Sequence, residues 1–444
     1  LEYIWNTTTG NWTESAKWTP NGTPGATDTA WLGKTGTTAQ VVTLLANQDV
    51  MGLRFTPDNA GSLCAVTVDG AGMTLNLGSA GLNDAGSRGG TSRTINPDIV
   101  LTAAQDWQSG DNRCPMYVNG DVSGAFTLTR KGNGNIFIAR PNPDFSGNVI
   151  GQNSGAFVLN GDGATLGTGA FTFAGSGVGA SAKATGGGNV GVYALTNDVT
   201  VTANSTLRTE GLVRYTGSFA GGAAFNLTVD RVRDYPNYGL FSFDPGAGES
   251  YTPGTGTTTL SNAGYAVKDV GGGVLTLNSE NLNIGGGILV LDNLSWADLM
   301  ANRSGGYNTA GANTWQFSGG GGFAARGTPV EITAGNGIGT STFDRNFTLG
   351  ITTRDADGTL FANQPVTVNV ATVLTAVRTV SVPCTGAGAT DNPYTVAHVL
   401  KGTWSGPGAL AMAPANTVGL GTGTGDSTLP ELVLAGANAW TGGI

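Results

Sequence analysis

Leu432-Val433-Leu434-Ala435-Gly436-Ala437-Asn438-Ala439-Trp440-Thr441-Gly442-Gly443 joins a short apolar strand to a Gly-Ala-Asn turn, an aromatic residue and a closing glycine pair. Leu and Val favour extended backbone, and Gly and Asn favour the sharp turns that end it. Two looser copies lie upstream. One runs from Phe126 through Lys131, Gly132, Gly134, Ile136, Phe137 and Ile138 to Phe145, Ser146 and Gly147. The other reads Lys268, Gly271, Gly273, Val274, Leu275, Thr276, Leu277 and is followed by Gly285, Gly286 and Gly287. From Ile136 to Val274 is 138 residues, and from Val274 to Leu432 is 158. Intervals so unequal do not suit the blades of a propeller; they suit a solenoid with variable loops.

Outward from these copies, period-two alternation marks further strands: Ala65 to Val68, Met73 to Leu77, Val199 to Thr202, Val274 to Leu277 and Val366 to Val370. Gly, Asn and Asp punctuate nearly all of them. Glycine supplies 74 of 444 residues and charged residues only 11%, against about 7% and about 25% in ordinary chains. Such glycine content disfavours helices. Disorder is excluded by the 39% of hydrophobic residues falling in strand-like runs. One short helix is expected, Leu294 to Ala301, with Ser295 as its N-cap.

The net charge of −9 is spread along the chain, and no Lys/Arg cluster could track a phosphate backbone, so nucleic acid is not an expected partner. Cys64, Cys114 and Cys384 are far apart and odd in number. This fits neither a disulfide framework nor a CxxC metal site and permits at most one bridge. No stretch approaches 18 uninterrupted apolar residues, so no membrane-spanning helix is expected. The opening Leu1, Glu2, Tyr3, Ile4 and Trp5 lacks an initiator Met, a basic region and an apolar region, as a processed mature chain would.

The phrase Leu434 to Gly443 resembles the autotransporter-associated β-strand repeat of bacterial surface proteins. Trp5, Gly10, Asn11, Trp12, Ala16, Trp18, Pro20, Pro24, Gly25, Asp28, Thr29, Ala30 and Trp31 resemble the Trp-rich opening of long repeat proteins of that kind. Ile99 to Trp107, followed by Gly120, Ser123, Gly124, Phe126, Leu128 and Lys131, resembles the full repeat unit. The resemblance covers residues 1–160 and 395–444; the middle departs from it with loops such as Tyr235 to Phe243. It implies a right-handed parallel β-helix exported to the cell surface. Coils about 4.8 Å apart, at roughly 20 to 25 residues each, would give about 18 to 22 coils over about 100 Å. Interior Asn and Thr would form ladders along the axis.

Chemistry is sparse. His398 is the only histidine, no GxSxG elbow exists, and Ala397 and Val399 place His398 in a strand where a packed imidazole is expected. One His and three scattered Cys make no zinc cluster. Asp355, Asp357 and Gly358 read as a turn without the later ligands of a calcium loop, so calcium is unsupported and no cofactor is expected. Asp230, Arg231, Arg233 and Asp234 read as a self-compensated surface network. Asn-X-Thr/Ser triplets at Asn6, Asn11, Asn21, Asn204, Asn226, Asn293, Asn302 and Asn346 are glycan-acceptor patterns that a Thr-rich chain produces by chance. Four of nine Trp fall within the first 31 residues. Trp5, Trp12, Trp18 and Trp31 are therefore the binding candidates, as platforms for sugars or proteins, weighed against a structural cap over an open first coil.

These readings converge on an all-β fold, a right-handed parallel β-helix (β-solenoid) with irregular loops. A Trp-rich N-terminal cap is expected over residues 1–45 and a body over 46–444 that ends in mid-repeat. The expected role is non-enzymatic: an extracellular structural or adhesive protein of a bacterial surface, a subunit of a fibre, sheath or layer assembling head to tail. Its expected partners are itself, a surface polysaccharide or another cell. Two other roles fit the fold: a polysaccharide lyase or hydrolase, needing clustered carboxylates or Arg plus calcium, and a non-catalytic glycan-binding passenger.

Overall fold

The computed structural model describes residues 1–33, 38–55, 64–84, 91–110, 114–180, 191–221, 224–231, 239–261, 263–268, 274–275, 281–301, 315–317, 320–335, 338–351, 361–383, 396–415, 432–436 and 438–440. It is an all-β protein of parallel strands in stacked sheets. The chain divides into a first unit, Leu1–Lys183 with Thr196–Thr206, and a second, Ala184–Leu195 with Leu207–Ile444.

In the first unit, one sheet is a column of in-register parallel strands. Val66 pairs with Arg93, Arg93 with Met116, Met116 with Ile136, Ile136 with Phe157 and Phe157 with Val178. Each pairing therefore joins residues 20 to 27 positions apart. Because side chains alternate between faces, in-register stacking keeps one row inward through every strand. That row and its companion, Val42, Val68, Ile95, Val118, Ile138 and Leu159, are buried throughout. The facing sheet contributes Ala30, Leu53, Leu82, Trp107, Phe173 and Val201, also buried. Each such aliphatic or aromatic side chain contributes about 1.5–3 kcal/mol, but only once a neighbouring strand covers it.

Polar side chains secure the turns between strands. Asn47 Oδ1 accepts the Thr74 amide at 2.9 Å, Asn135 that of Ala156 at 3.0 Å and Asn148 that of Ala170 at 3.2 Å. In the second unit, Asn226 accepts from Thr257 and Asn346 from Thr379, both at 2.9 Å. These five asparagines thus satisfy backbone N–H groups one turn further along. A short ladder also exists, half-buried rather than interior and built from Asp and Asn without Thr: Asn96 donates to Asp69 at 3.1 Å, and Asn119 to Asn96 at 2.9 Å. Glycine answers a different constraint. A Cβ on Gly147 would lie 1.9 Å from the Phe126 carbonyl oxygen, and one on Gly169 would lie 2.0 Å from that of Gly147. The glycine closing the Phe145-Ser146-Gly147 phrase therefore sits where successive backbones touch.

The N-terminal strand Glu2–Trp5 pairs in parallel with Thr29–Trp31 on one side and antiparallel with Trp18–Thr19 on the other. The edge that would be open is covered by two residues of reversed strand, which stop at Pro20. At the neighbouring strand Thr9–Asn11, Lys17 Nζ donates to the Thr9 carbonyl at 2.8 Å.

The second unit repeats the parallel plan with longer excursions. Leu212 pairs with Leu240, Leu240 with Gly264, Gly264 with Ile288 and Ile288 with Gly322. A further sheet pairs Val330 with Val366 and Thr367 with Val399. Separations run from 20 (Val192 to Leu212) to 36 (Val330 to Val366), wider than the expected 20 to 25. Its core joins an aliphatic cluster that includes Leu212, Leu240, Ile288 and Val290 to an aromatic one, in which Tyr215 stacks on Phe243 at 5.4 Å and Phe243 meets Tyr251 at 5.1 Å and Tyr265 at 5.3 Å. The expected helix forms at Trp296–Ala301. Ser295 Oγ accepts the Asp298 amide at 3.1 Å, and the Asp298 carboxylate accepts back from Ser295 N at 3.3 Å, a reciprocal cap. Trp296 then packs edge-on against Trp315 and Phe323.

Candidate functional site

Trp5, Trp12 and Trp18 are fully buried, and Trp31 is 5% exposed. Trp18 stands edge-on to Trp5 at 4.9 Å and to Trp12 at 5.2 Å. Its indole N–H donates to the Trp12 carbonyl at 2.8 Å. The Arg54 guanidinium lies 3.8 Å from the centroid of the Trp31 ring, covering that face. The four indoles therefore pack the first turns of the chain.

His398 is also buried, on the strand His398–Leu400. Its Nδ1 accepts the Val366 amide at 3.1 Å, and burial lowers its pKa to about 4. At neutral pH this imidazole is an uncharged core group. Cys64 and Cys114 each lie two residues before strand partners, Val66 and Met116, with the Arg93 strand between them. Two strand spacings, about 9.6 Å, exceed the reach of a disulfide. Burial raises the Cys64 pKa. Asp230 and Arg231 end the strand Leu227–Arg231. Arg233, Asp234, Asp355, Asp357, Gly358 and Cys384 lie outside the described residues.

Several carboxylates are committed to neighbours. Arg378 donates to Asp344 at 2.7 Å, and with Thr375 it holds the Asp344 pKa at about 2. Glu331 accepts from Asn369 at 2.7 Å and Lys401 at 3.1 Å; Lys401 leads in lowering its pKa. Among the described residues, no group of three or more His, Cys, Asp or Glu converges as metal ligands would.

One concave polar site stands out, in the second unit, where two adjacent parallel strands end. Asp292 closes the strand Ile288–Asp292 and pairs in register with Arg326, which closes Gly322–Arg326. Arg326 Nη1 meets Asp292 Oδ2 at 3.2 Å, and its guanidinium lies 4.2 Å from the Phe361 ring centroid. Asp292 is 1% exposed and Phe361 fully buried, so the cation is fixed between a carboxylate and an aromatic face. Lys268 holds the register position on the other side of Asp292.

Two left-handed residues shape the mouth. Asn293, with φ 53°, donates its amide to the Arg326 carbonyl at 3.0 Å. Gly327 has φ 73°, and a Cβ there would stand 1.9 Å from Asn293 Oδ1. Across the opening, Gln364 N donates to the Ala325 carbonyl at 3.0 Å, which brings Asn363 and Gln364 to the rim. Asp292, Asn293, Arg326, Gly327, Asn363 and Gln364 line an open cleft of about 430 Å³. The arrangement offers one carboxylate, one guanidinium and three amides, a set able to donate and accept together.

The sequence reading missed this pocket. Arg326 is 34 residues from Asp292, and Asn363 is 71 away. The usable signal was local: a polar residue next to one favouring positive φ at the end of an apolar strand, as in Leu291-Asp292-Asn293 and Ala325-Arg326-Gly327.

No protein-family profile, characterised protein or solved structure matches this chain.

Proposed function

We propose that each unit is a right-handed parallel β-helix and that the protein is an extracellular structural or adhesive component of a bacterial surface. The observation behind this reading is the parallel pairing of strands 20 to 36 residues apart that recurs among the described residues of both units. Strand, crossover and parallel strand in one sheet connect with right-handed sense in about 98% of cases, so a column of them winds one way. Such a body needs few charges, because inter-turn hydrogen bonds and stacked apolar rows carry its stability. The 11% charged content and the repeat phrases ending in Gly443 and Gly147 fit export and exposure to solvent.

Of the structural and adhesive roles, the adhesive one is better supported. One sheet edge open to head-to-tail strand pairing, beside Glu2–Trp5, is taken by Trp18–Thr19, a two-residue reversed strand followed by Pro20, which is a poor template. The concave polar site in the second unit gives adhesion a place to act.

Immunogold labelling of the intact cells that express the chain tests this reading, together with digestion of those cells by an added protease. Labelling and cleavage on unbroken cells are expected. Labelling confined to lysed cells would overturn a surface role.

A further inference from the structure

We propose that the pocket of Asp292, Asn293, Arg326, Gly327, Asn363 and Gln364 is a binding site for an uncharged saccharide. The proposal deepens the adhesive reading, but the pocket chemistry stands without it.

Size comes first. About 430 Å³ lies within the roughly 300–1,000 Å³ of small-molecule sites. Charge comes second. The one carboxylate and the one guanidinium among the lining residues already face each other at 3.2 Å. An anion would have to compete with Asp292 for Arg326, and a cation would have to displace Arg326 from Asp292. A neutral ligand leaves the pair intact and is met by the carboxamides of Asn293, Asn363 and Gln364.

Hydrogen-bond chemistry comes third. The rim contacts are long: Asn293 Nδ2 to Asp292 Oδ1 is 3.4 Å, and Gln364 Nε2 to Asn363 Oδ1 is 3.3 Å. Bonds of that length are weak, and ligand hydroxyls can replace them with shorter ones. Each hydroxyl donates once and accepts twice, and the three carboxamides, each both donor and acceptor, match that pattern over adjacent hydroxyls. Preorganisation comes last. Asp292 and Arg326 are fixed by strand register and by the buried Phe361, and the bare Gly327 keeps the mouth open beside Asn293. Less ordering entropy is then lost on binding.

The test uses the full chain and isothermal titration calorimetry against three probes: neutral gluco-, galacto- and manno-oligosaccharides, oligogalacturonate, and calcium chloride. The paired rim variant Asn363→Ala, Gln364→Ala removes amides but not the backbone bond of Gln364. Arg326→Lys keeps the charge but not the guanidinium fork. Binding of a neutral oligosaccharide is expected, weakened at least about tenfold in both variants with the thermal midpoint of the rim variant unchanged. Salt-sensitive binding of oligogalacturonate alone, calcium binding alone, or no binding by any probe would overturn the proposal. So would saccharide binding that both variants retain. Surface labelling without saccharide binding would sink this inference and leave the surface role standing; binding by a chain found inside the cell would do the reverse.

Discussion

Asp84 and Arg93 form an ion pair inside the first unit, Oδ2 to Nε at 3.2 Å, with side chains 0% and 1% exposed. Arg93 occupies an inward position in the row between Val66 and Met116, and the other members from Val66 to Val178 are apolar. Its Nη1 also donates to the Cys64 carbonyl at 2.6 Å. The guanidinium thus ties one sheet to the end of the strand Thr74–Asp84 and to a turn carbonyl.

Removing one partner leaves the other charge buried. Asp84→Ala and Arg93→Ala are each expected to cost about 3–5 kcal/mol. The double variant Asp84→Leu, Arg93→Met should cost less than either, because no stranded charge remains, although the Cys64 carbonyl loses a donor. Urea unfolding followed by tryptophan fluorescence reads this directly. A double variant whose loss equals the sum of the two would show that the pair does not act as a unit.

The tryptophan cluster separates a cap from a binding platform. Trp18 packs against two indoles and donates to Trp12. Trp18→Ala should lower stability by about 3–5 kcal/mol and expose the Glu2–Trp5 edge, raising light scattering on warming. Retention on polysaccharide beads at low temperature should not change. Loss of retention with an unchanged melting curve would instead mark an exposed platform.

Much of the fold was legible because the code for a parallel, two-faced strand is local. Val66 to Val68 and Val366 to Asn369 alternate as written and form strands, and Ser295 caps the helix it announces. The coil length was not legible. Nothing near Ile288 says that its partner is Gly322, 34 residues on, past a helix. The same separation hid the pocket, whose groups meet only after turns of unequal length bring strand ends together. The tryptophans drew attention by their type, yet indole serves core and binding site alike, and only burial distinguishes the two.

Glycines at touching backbones should be intolerant of even one carbon. In Gly169→Ala the added Cβ would sit 2.0 Å from the Gly147 carbonyl oxygen, a backbone atom that cannot swing away. Overpacking of this kind costs about 1–3 kcal/mol or more. Gly320 is the control, since a Cβ there meets nothing within 4 Å, and Gly320→Ala should fall within about 0.5 kcal/mol of the parent. Thermal unfolding of the two variants side by side decides it; equal midpoints would mean that the coils shift apart at little cost.

His398 should give the second unit a distinct acid response. Burial favours the neutral imidazole and lowers its pKa from the ordinary 6.5 to about 4. Between those values the unfolded chain binds a proton that the folded chain does not. This contribution is therefore fully present above pH 6.5, declines as pH falls toward 4, and is gone below it. The difference amounts to about 3 kcal/mol. Carboxylates complicate the lower end of that range: Asp344, held at about 2 by Arg378 and Thr375, adds a loss that begins near its ordinary 3.8. The comparison is therefore with His398→Gln, whose Oε1 can accept the Val366 amide in place of Nδ1 and does not titrate. From pH 7 to 4.5 the parent should lose more stability than the variant, with the gap opening below pH 6.5. Parallel curves across that range would mean that the imidazole protonates in place, and the buried, neutral assignment would fall.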